Sequence, residues 1–176
     1  MAGLKRSASF FVVANAQDCY YLFLMRSDKF NVRLLGEQDL NEWLRLRKLL
    51  WDAASEDDHR SEMLDIIEHP ESQVVLVAEN GNGRLVGFLE AGIRPFAEDC
   101  TTDQVGYLEG WFVETPFRRI GIGTALVRGA EQWAISKGCS EMASDAEVGN
   151  DASLAAHLNL DYEVSSRLIH LRKNLV

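Results

Sequence analysis

Leu108-Glu109-Gly110-Trp111-Phe112-Val113-Glu114-Thr115-Pro116-Phe117-Arg118-Arg119-Ile120-Gly121-Ile122-Gly123-Thr124-Ala125-Leu126 is the stretch on which the fold turns. Its first half is aromatic and β-branched and reads as a strand that Pro116 ends. Its second half opens a helix at Gly121. Leu126, Val127, Ala130, Trp133 and Ala134 recur at helical spacing, and Gly138 supplies the stop. Glycines at a strand-to-helix junction let the backbone turn tightly and aim its N–H groups at one point. The helix dipole adds positive potential there, which makes a candidate anion site suited to a pyrophosphate. Arg118 and Arg119 can add charge-assisted hydrogen bonds.

Upstream of this junction, Asn31 to Leu35 alternates and reads as a first strand. A helix follows from Glu37 through Trp51. A second opens at Ser55, with Asp58 three residues on as a capping-box partner, and ends before Pro70. Val74 to Glu79 and Arg84 to Arg94 are two strands joined by the turn Asn80-Gly81-Asn82-Gly83. Residues 95–104 form an acidic loop. Downstream, Glu141 to Ser144 is a strand, Asp151 to Leu160 a helix, and two closing strands are expected in the remainder. The order β-α-α-β-β-β-α-β-α-β-β describes one mixed α/β domain.

The chain has 176 residues, is 47% apolar and 26% charged, and carries a formal net charge of −9. That composition suits one globular domain. The acidic balance argues against nucleic acid as a partner, since a basic face is needed to displace counterions from phosphates. Cys19, Cys100 and Cys139 are widely spaced and odd in number, so reduced, cytoplasmic thiols are expected. The scattered histidines show no metal-ligand spacing, and no metal is expected. No apolar run reaches the roughly 20 residues of a membrane helix, and no membrane partner is expected. The domain is expected over 31–176, with 1–30 an N-terminal extension. Lys5 and Arg6, the apolar Phe10 to Val13 and Ala14-Asn15-Ala16 sketch a signal peptide. A dispensable extension, or a start codon assigned too early with Met25 as the true start, accounts for the same pattern.

A Walker loop needs a lysine that is missing after Gly123, and a dinucleotide fingerprint needs a glycine where Leu126 stands. Arg118-x-x-Gly121-x-Gly123 instead resembles the acyl-CoA signature of the GNAT superfamily. A finer resemblance covers about residues 31–173. Leu46-Arg47-Lys48-Leu49-Leu50-Trp51, Gly87-Phe88 with Ile93-Arg94, Tyr107-Leu108-Glu109-Gly110 and Glu141-Met142-Ala143-Ser144-Asp145 are similar to stretches of the aminoglycoside 6′-N-acetyltransferases. Asn150 with His157, and Arg172-Lys173, extend the match. Asp52 departs from a usual proline, Leu160-Asp161-Tyr162 from Leu-Gly-Phe, and Ser166 from a usual glutamate. These departures bear on substrate range.

The resemblance implies the GNAT acyl-CoA N-acyltransferase fold: an α/β (α+β) domain with a mixed, largely antiparallel seven-stranded sheet flanked by about four helices. It implies acetyl-CoA as cosubstrate, an aminoglycoside or other polycationic amine as acceptor, and a homodimer. Arg118, Arg119, Gly121, Ile122, Gly123 and Thr124 would bind the pyrophosphate. Backbone amides at Trp111 and Val113 would meet the pantetheine and thioester, and Asn150 either contacts the pantetheine arm or caps its helix. Asp145 is the leading substrate carboxylate and candidate base, against a strand-terminal or capping role. Glu109, costly in an interior strand unless paired or wetted by a cleft, could bind or deprotonate an ammonium, with a buried ion pair as the competing role. His157 stands where many members of the superfamily place a thiolate-protonating tyrosine; a lone helix histidine otherwise packs. Trp51 and Glu56-Asp57-Asp58 could line the acceptor site, or be a core residue and a solvated helix start. Two other functions remain open: a GNAT enzyme for another polyamine, metabolite or protein amine, and a CoA-binding sensor without catalysis.

Overall fold

Val74-Val75-Leu76-Val77-Ala78 is apolar without alternation because its strand is buried on both faces. The computed structural model describes residues 26–27 and 29–175. Its strands are β1 (Arg26–Ser27), β2 (Phe30–Leu34), β3 (Gln73–Asn80), β4 (Leu85–Arg94), β5 (Val105–Val113) and β6 (Glu141–Ser144). They form one sheet in that same order, antiparallel throughout except for the parallel pair β5–β6. Four helices flank it: α1 (Leu40–Leu50), α2 (Glu56–Glu68), α3 (Ile122–Ser136) and α4 (Asp151–Leu158). Val74, Leu76 and Ala78 face the layer that holds Leu126, Val127 and Ala130 of α3. Val75 and Val77 face the opposite layer, with Trp43, Leu46 and Met63 of α1 and α2. Helices therefore cover both faces of the sheet, and the period-2 geometry of β3 serves two cores at once.

Several boundaries follow local chemistry. The Ser55 hydroxyl accepts from the Asp58 N–H at 3.1 Å and the Asp58 carboxylate reaches back to Ser55, which completes the expected capping box. At the other end of α3, Gly138 adopts φ +93. Gly138 N–H reaches the Ile135 carbonyl and Cys139 N–H the Ala134 carbonyl, the two bonds of a Schellman stop.

The expected closing strands are absent from the described residues: 163–175 form no strand or helix, and the sheet has six strands rather than seven. Leu168, Ile169 and Leu171 are apolar enough for a strand but are 53%, 88% and 92% exposed. A strand gains stability from a neighbouring ladder and a face to bury, and these side chains have neither among the described residues. The expectation of an extension over residues 1–30 falls, up to Met25, outside the described residues; Arg26–Ser27 pairs with β2. No helix among the described residues is long and apolar enough to cross a membrane.

Candidate active site

β5 and β6 pair only from Val105–Glu141 to Leu108–Ser144. Past Leu108, β5 runs on to Val113 while β6 ends, and a cleft of about 960 Å³ opens between β5, the start of α3, the segment after β6 and α4. Two features of β5 shape it. Opposite Glu90 and Ala91 of β4 stand Gly110 and Leu108, so Glu109 is the extra residue of a β-bulge. A bulge re-aims one side chain, and Glu109 is exposed to the cleft in a strand otherwise buried around it. Beyond the bulge, Glu114 N–H bonds the Val86 carbonyl on the β4 side. Donors alternate sides along a strand, so the N–H groups of Val113 and Trp111 point to the open edge.

The far wall is the glycine junction. Gly121 adopts φ +98 just before α3, and Arg119 is left-handed too at φ +65. The first N–H groups of a helix have no intrahelical acceptor, so those of Ile122, Gly123 and Thr124 are available to an anion. Gly121, Gly123, Thr124, Arg118 and Arg119 all line the cleft. Ile122 differs: its side chain is 1% exposed in the α3 core, which leaves only its backbone for the ligand. A Cβ on Gly123 would stand 2.8 Å from Cζ2 of Trp111, so the glycine lets that indole lie flat against the helix start. Arg118 donates from Nε to the Val113 carbonyl at 2.8 Å, which ties the junction to β5. Amides, arginines and a close-packed aromatic wall fit an elongated anionic cosubstrate such as acetyl-CoA.

The carboxylates stand on the β5–β6 side. Glu109 pairs with Arg94, whose Nε lies 2.9 Å from Oε1 and whose guanidinium stacks 3.4 Å above the Tyr107 ring. It is thus both ion-paired and open to the cleft. Asp145, exposed just past β6, accepts from the Tyr107 hydroxyl at 3.1 Å. Burial, with the Asp145 charge nearby, pushes that hydroxyl up to about 12, so it stays a donor near neutrality. His157 of α4 lines the cleft, edge-on to Trp111 and to Tyr162, each 5.4 Å away. Asn150 also lines it, and its side-chain oxygen caps α4 by accepting from Ser153 N–H at 3.1 Å.

Trp51, at the end of α1, is a wall of the cleft and not simply core. Its ring is fixed from behind by the Arg47 guanidinium, 4.6 Å from its centroid. Arg47 is 2% exposed and bonds the buried Glu90 at 2.5 Å; Trp43 Nε1 donates to the same carboxylate at 2.7 Å. Burial pushes the Glu90 carboxyl up to about 6, against the opposing pull of Arg47. The acidic run Glu56-Asp57-Asp58 does not line the cleft: Glu56 pairs with Lys48 and Arg60, and Asp58 caps α2. Among the described residues no cluster of histidine, cysteine and carboxylate groups could hold a metal. Sequence reasoning missed Ser144, Ser153 and Glu147 as cleft residues; each is a common residue type with no spacing signal.

The acetyltransferase (GNAT) family model matches residues 43–162. An aminoglycoside N(6′)-acetyltransferase type 1 from Klebsiella aerogenes is 38% identical over 146 residues, covering 82% of this chain and 96% of its own. The crystal structure of the aminoglycoside 6′-N-acetyltransferase AAC(6′)-Ih from Acinetobacter baumannii superposes with a TM-score of 0.78 at 36% identity, over 84% of this chain and 99% of that one. AAC(6′)-Iy, in complex with the bisubstrate analog CoA-S-monomethyl-acetylneamine, gives 0.78 at 32% identity, over 82% and 98%. With this glycine junction, splayed strand pair and extent of likeness, the chain belongs to the GNAT family of acetyltransferases, in its aminoglycoside N(6′)-acetyltransferase type 1 branch.

Proposed function

We propose that this protein transfers the acetyl group of acetyl-CoA to the 6′-amine of aminoglycosides by direct attack of the amine on the thioester, through a tetrahedral intermediate. The observation that carries the reading is a single cleft with two chemistries. A glycine-built helix start with Arg118 and Arg119 suits a polyanion, and the carboxylates Glu109 and Asp145 suit a polycation. Acetylation removes a cation from the antibiotic and so weakens its hold on RNA phosphates.

Holding amine and thioester together supplies roughly 7–11 kcal/mol of the barrier. The N–H groups of Trp111 and Val113 orient the donor, and the one nearest the acetyl carbonyl stabilises its developing oxyanion. Asp145 holds the reacting ammonium and takes its first proton, with the Tyr107 hydroxyl fixing the carboxylate in place. Glu109 takes a second ammonium in competition with Arg94. Trp51 gives the sugar rings a flat apolar wall, held rigid by Arg47.

The free thiols Cys100 and Cys139 suit a cytoplasmic enzyme, a placement that cell fractionation would contradict by recovering it elsewhere. The uncovered apolar residues Leu168, Ile169 and Leu171 suit a homodimer, which light scattering would contradict by returning one chain mass. The function itself is tested by isolating acetylated kanamycin after reaction with acetyl-CoA and locating the acetyl group by NMR. Acetyl on the 6′ nitrogen is expected; acetyl on another amine would contradict the regiochemistry.

A further inference from the structure

Ser144, the last residue of β6, lies in the stretch Glu141 to Asp145 with no role of its own so far, and its hydroxyl sits in the cleft between Asp145 and α4. Its Oγ lies 3.1 Å from His157 Nε2, and 3.4 Å from each of the carbonyls of Leu108 and Asp145. On the other side of the imidazole, Nδ1 lies 2.9 Å from the Ser153 carbonyl oxygen. The Ser153 hydroxyl stands farther from the same nitrogen, at 3.4 Å. The shorter contact, to a carbonyl that only accepts, favours a hydrogen on Nδ1, and in that neutral tautomer Nε2 presents its lone pair to the Ser144 hydroxyl. The ring has little freedom to turn: Trp111 and Tyr162 meet it edge-on from two sides, at interplanar angles of 89° and 83°.

Hydroxyl, imidazole and backbone acceptor in line are the parts of a proton relay. In that tautomer the ring has no proton at Nε2 to give to a departing thiolate. Of this pair, Ser144 Oγ is the atom that carries a transferable proton at the cleft wall. We propose that Ser144 is the catalytic residue that carries the proton from nitrogen to sulfur during acetyl transfer, with His157 acting through it; this rests on the acetyl-transfer reading above.

The protons balance along this path. After the amine attacks, the tetrahedral intermediate holds a cationic nitrogen, an oxyanion and the C–S bond. The nitrogen gives its proton to Ser144 Oγ while the Ser144 hydroxyl proton moves to His157 Nε2. The oxyanion then re-forms the carbonyl, the C–S bond breaks and its electron pair leaves on sulfur. The thiolate takes a proton from Ser144 Oγ, which recovers one from Nε2. Amine and thioester have become amide and thiol, and both side chains are restored.

The test compares wild type with Ser144→Ala, Ser144→Thr, His157→Phe and the Ser144→Ala/His157→Phe double variant. His157→Phe keeps a ring between Trp111 and Tyr162 and removes both nitrogens. The expected result is a single-turnover rate lower by about 10²-fold in each alanine or phenylalanine variant. The double variant should be no slower than either single one, because a relay acts as a unit. Ser144→Thr retains most of the rate, substrate binding constants stay within about twofold, and the solvent isotope effect on the transfer step shrinks in Ser144→Ala. In the protein without substrates, nitrogen NMR of the His157 ring should report the Nδ1–H tautomer, with an Nε2 resonance that moves in Ser144→Ala. A Ser144→Ala rate within twofold of wild type, multiplicative losses in the double variant, or an Nε2–H neutral tautomer overturns the relay while leaving acetyl transfer standing. No wild-type turnover with any amine overturns the acetyl-transfer reading and the relay with it.

Discussion

Two glycines set the aromatic walls of the cleft. A Cβ on Gly110 would stand 2.4 Å from Cη2 of Trp51, and one on Gly123 would crowd Trp111 in the same way. An added methyl at Gly123 must move an indole that lines the donor side, whereas Asp145→Asn changes charge with little change in shape. We expect Gly123→Ala to raise KM for acetyl-CoA about tenfold, about 1.4 kcal/mol. Asp145→Asn should lower kcat by about 10²-fold with acetyl-CoA affinity unchanged. Steady-state kinetics with calorimetric titration of CoA separates the two, and the reverse pattern would contradict these roles. Residues of this kind were legible to different degrees. Glu109 stood out because a carboxylate in an apolar strand demands a reason, and Asp145 because it ends one. The pairing of Glu109 with Arg94 was not legible, since it depends on which residue of β5 the bulge turns outward. Ser144 stood in a family-like stretch, but its pairing with His157 was hidden, because that partner lies thirteen residues away on another element.

The end of α4 shows how an element presents a site residue. Asp161 N–H reaches the Leu158 carbonyl and Tyr162 N–H the His157 carbonyl, the two bonds of a Schellman motif. That motif folds Tyr162 back onto His157, and it requires a left-handed residue, here Asp161 at φ +69. The Gly usual at this position in similar enzymes meets that requirement without a Cβ; aspartate meets it with strain. Its ion pair with Arg128 is long, at 3.4 Å, and Asp161 is 91% exposed, so little is lost with it. Asp161→Gly should stabilise the fold by about 0.5–1 kcal/mol, or about 1–4 °C in Tm, with activity retained. A lower Tm would contradict the strain argument. The tie between α1 and β4 titrates. Burial sets Glu90 at about 6 when folded against 4.5 unfolded, so folding favours its protonated form. That contribution is fully present below about 4.5 and is lost as pH rises through about 6. Wild type should therefore lose stability relative to Glu90→Gln across that window in denaturant unfolding; a constant difference would place the titration elsewhere. Helix ends were the most legible elements, because Ser55, Asp58 and Gly138 act on backbone groups within a few residues of themselves. The closing strands were misjudged because apolar residues such as Leu168, Ile169 and Leu171 mark a segment able to pair and not whether a partner edge is there for it.

At the scale of the whole molecule, the sheet divides the labour. One face carries α1 and α2, whose ends bring Trp51 to the cleft; the other carries α3, whose start is the anion site. The parallel pair β5–β6 ends early enough to leave an open strand edge between them. The formal charge of −9 excluded partners more than it chose one, and the acceptor class came from motifs spread over most of the chain. The most direct test is the rate of CoA thiol release by the purified protein with acetyl-CoA and kanamycin, tobramycin or amikacin, beside spermidine as a polyamine without sugar rings. Saturable turnover with the aminoglycosides and little with spermidine is the predicted result. Acetyl-CoA binding with no turnover on any aminoglycoside would contradict the account.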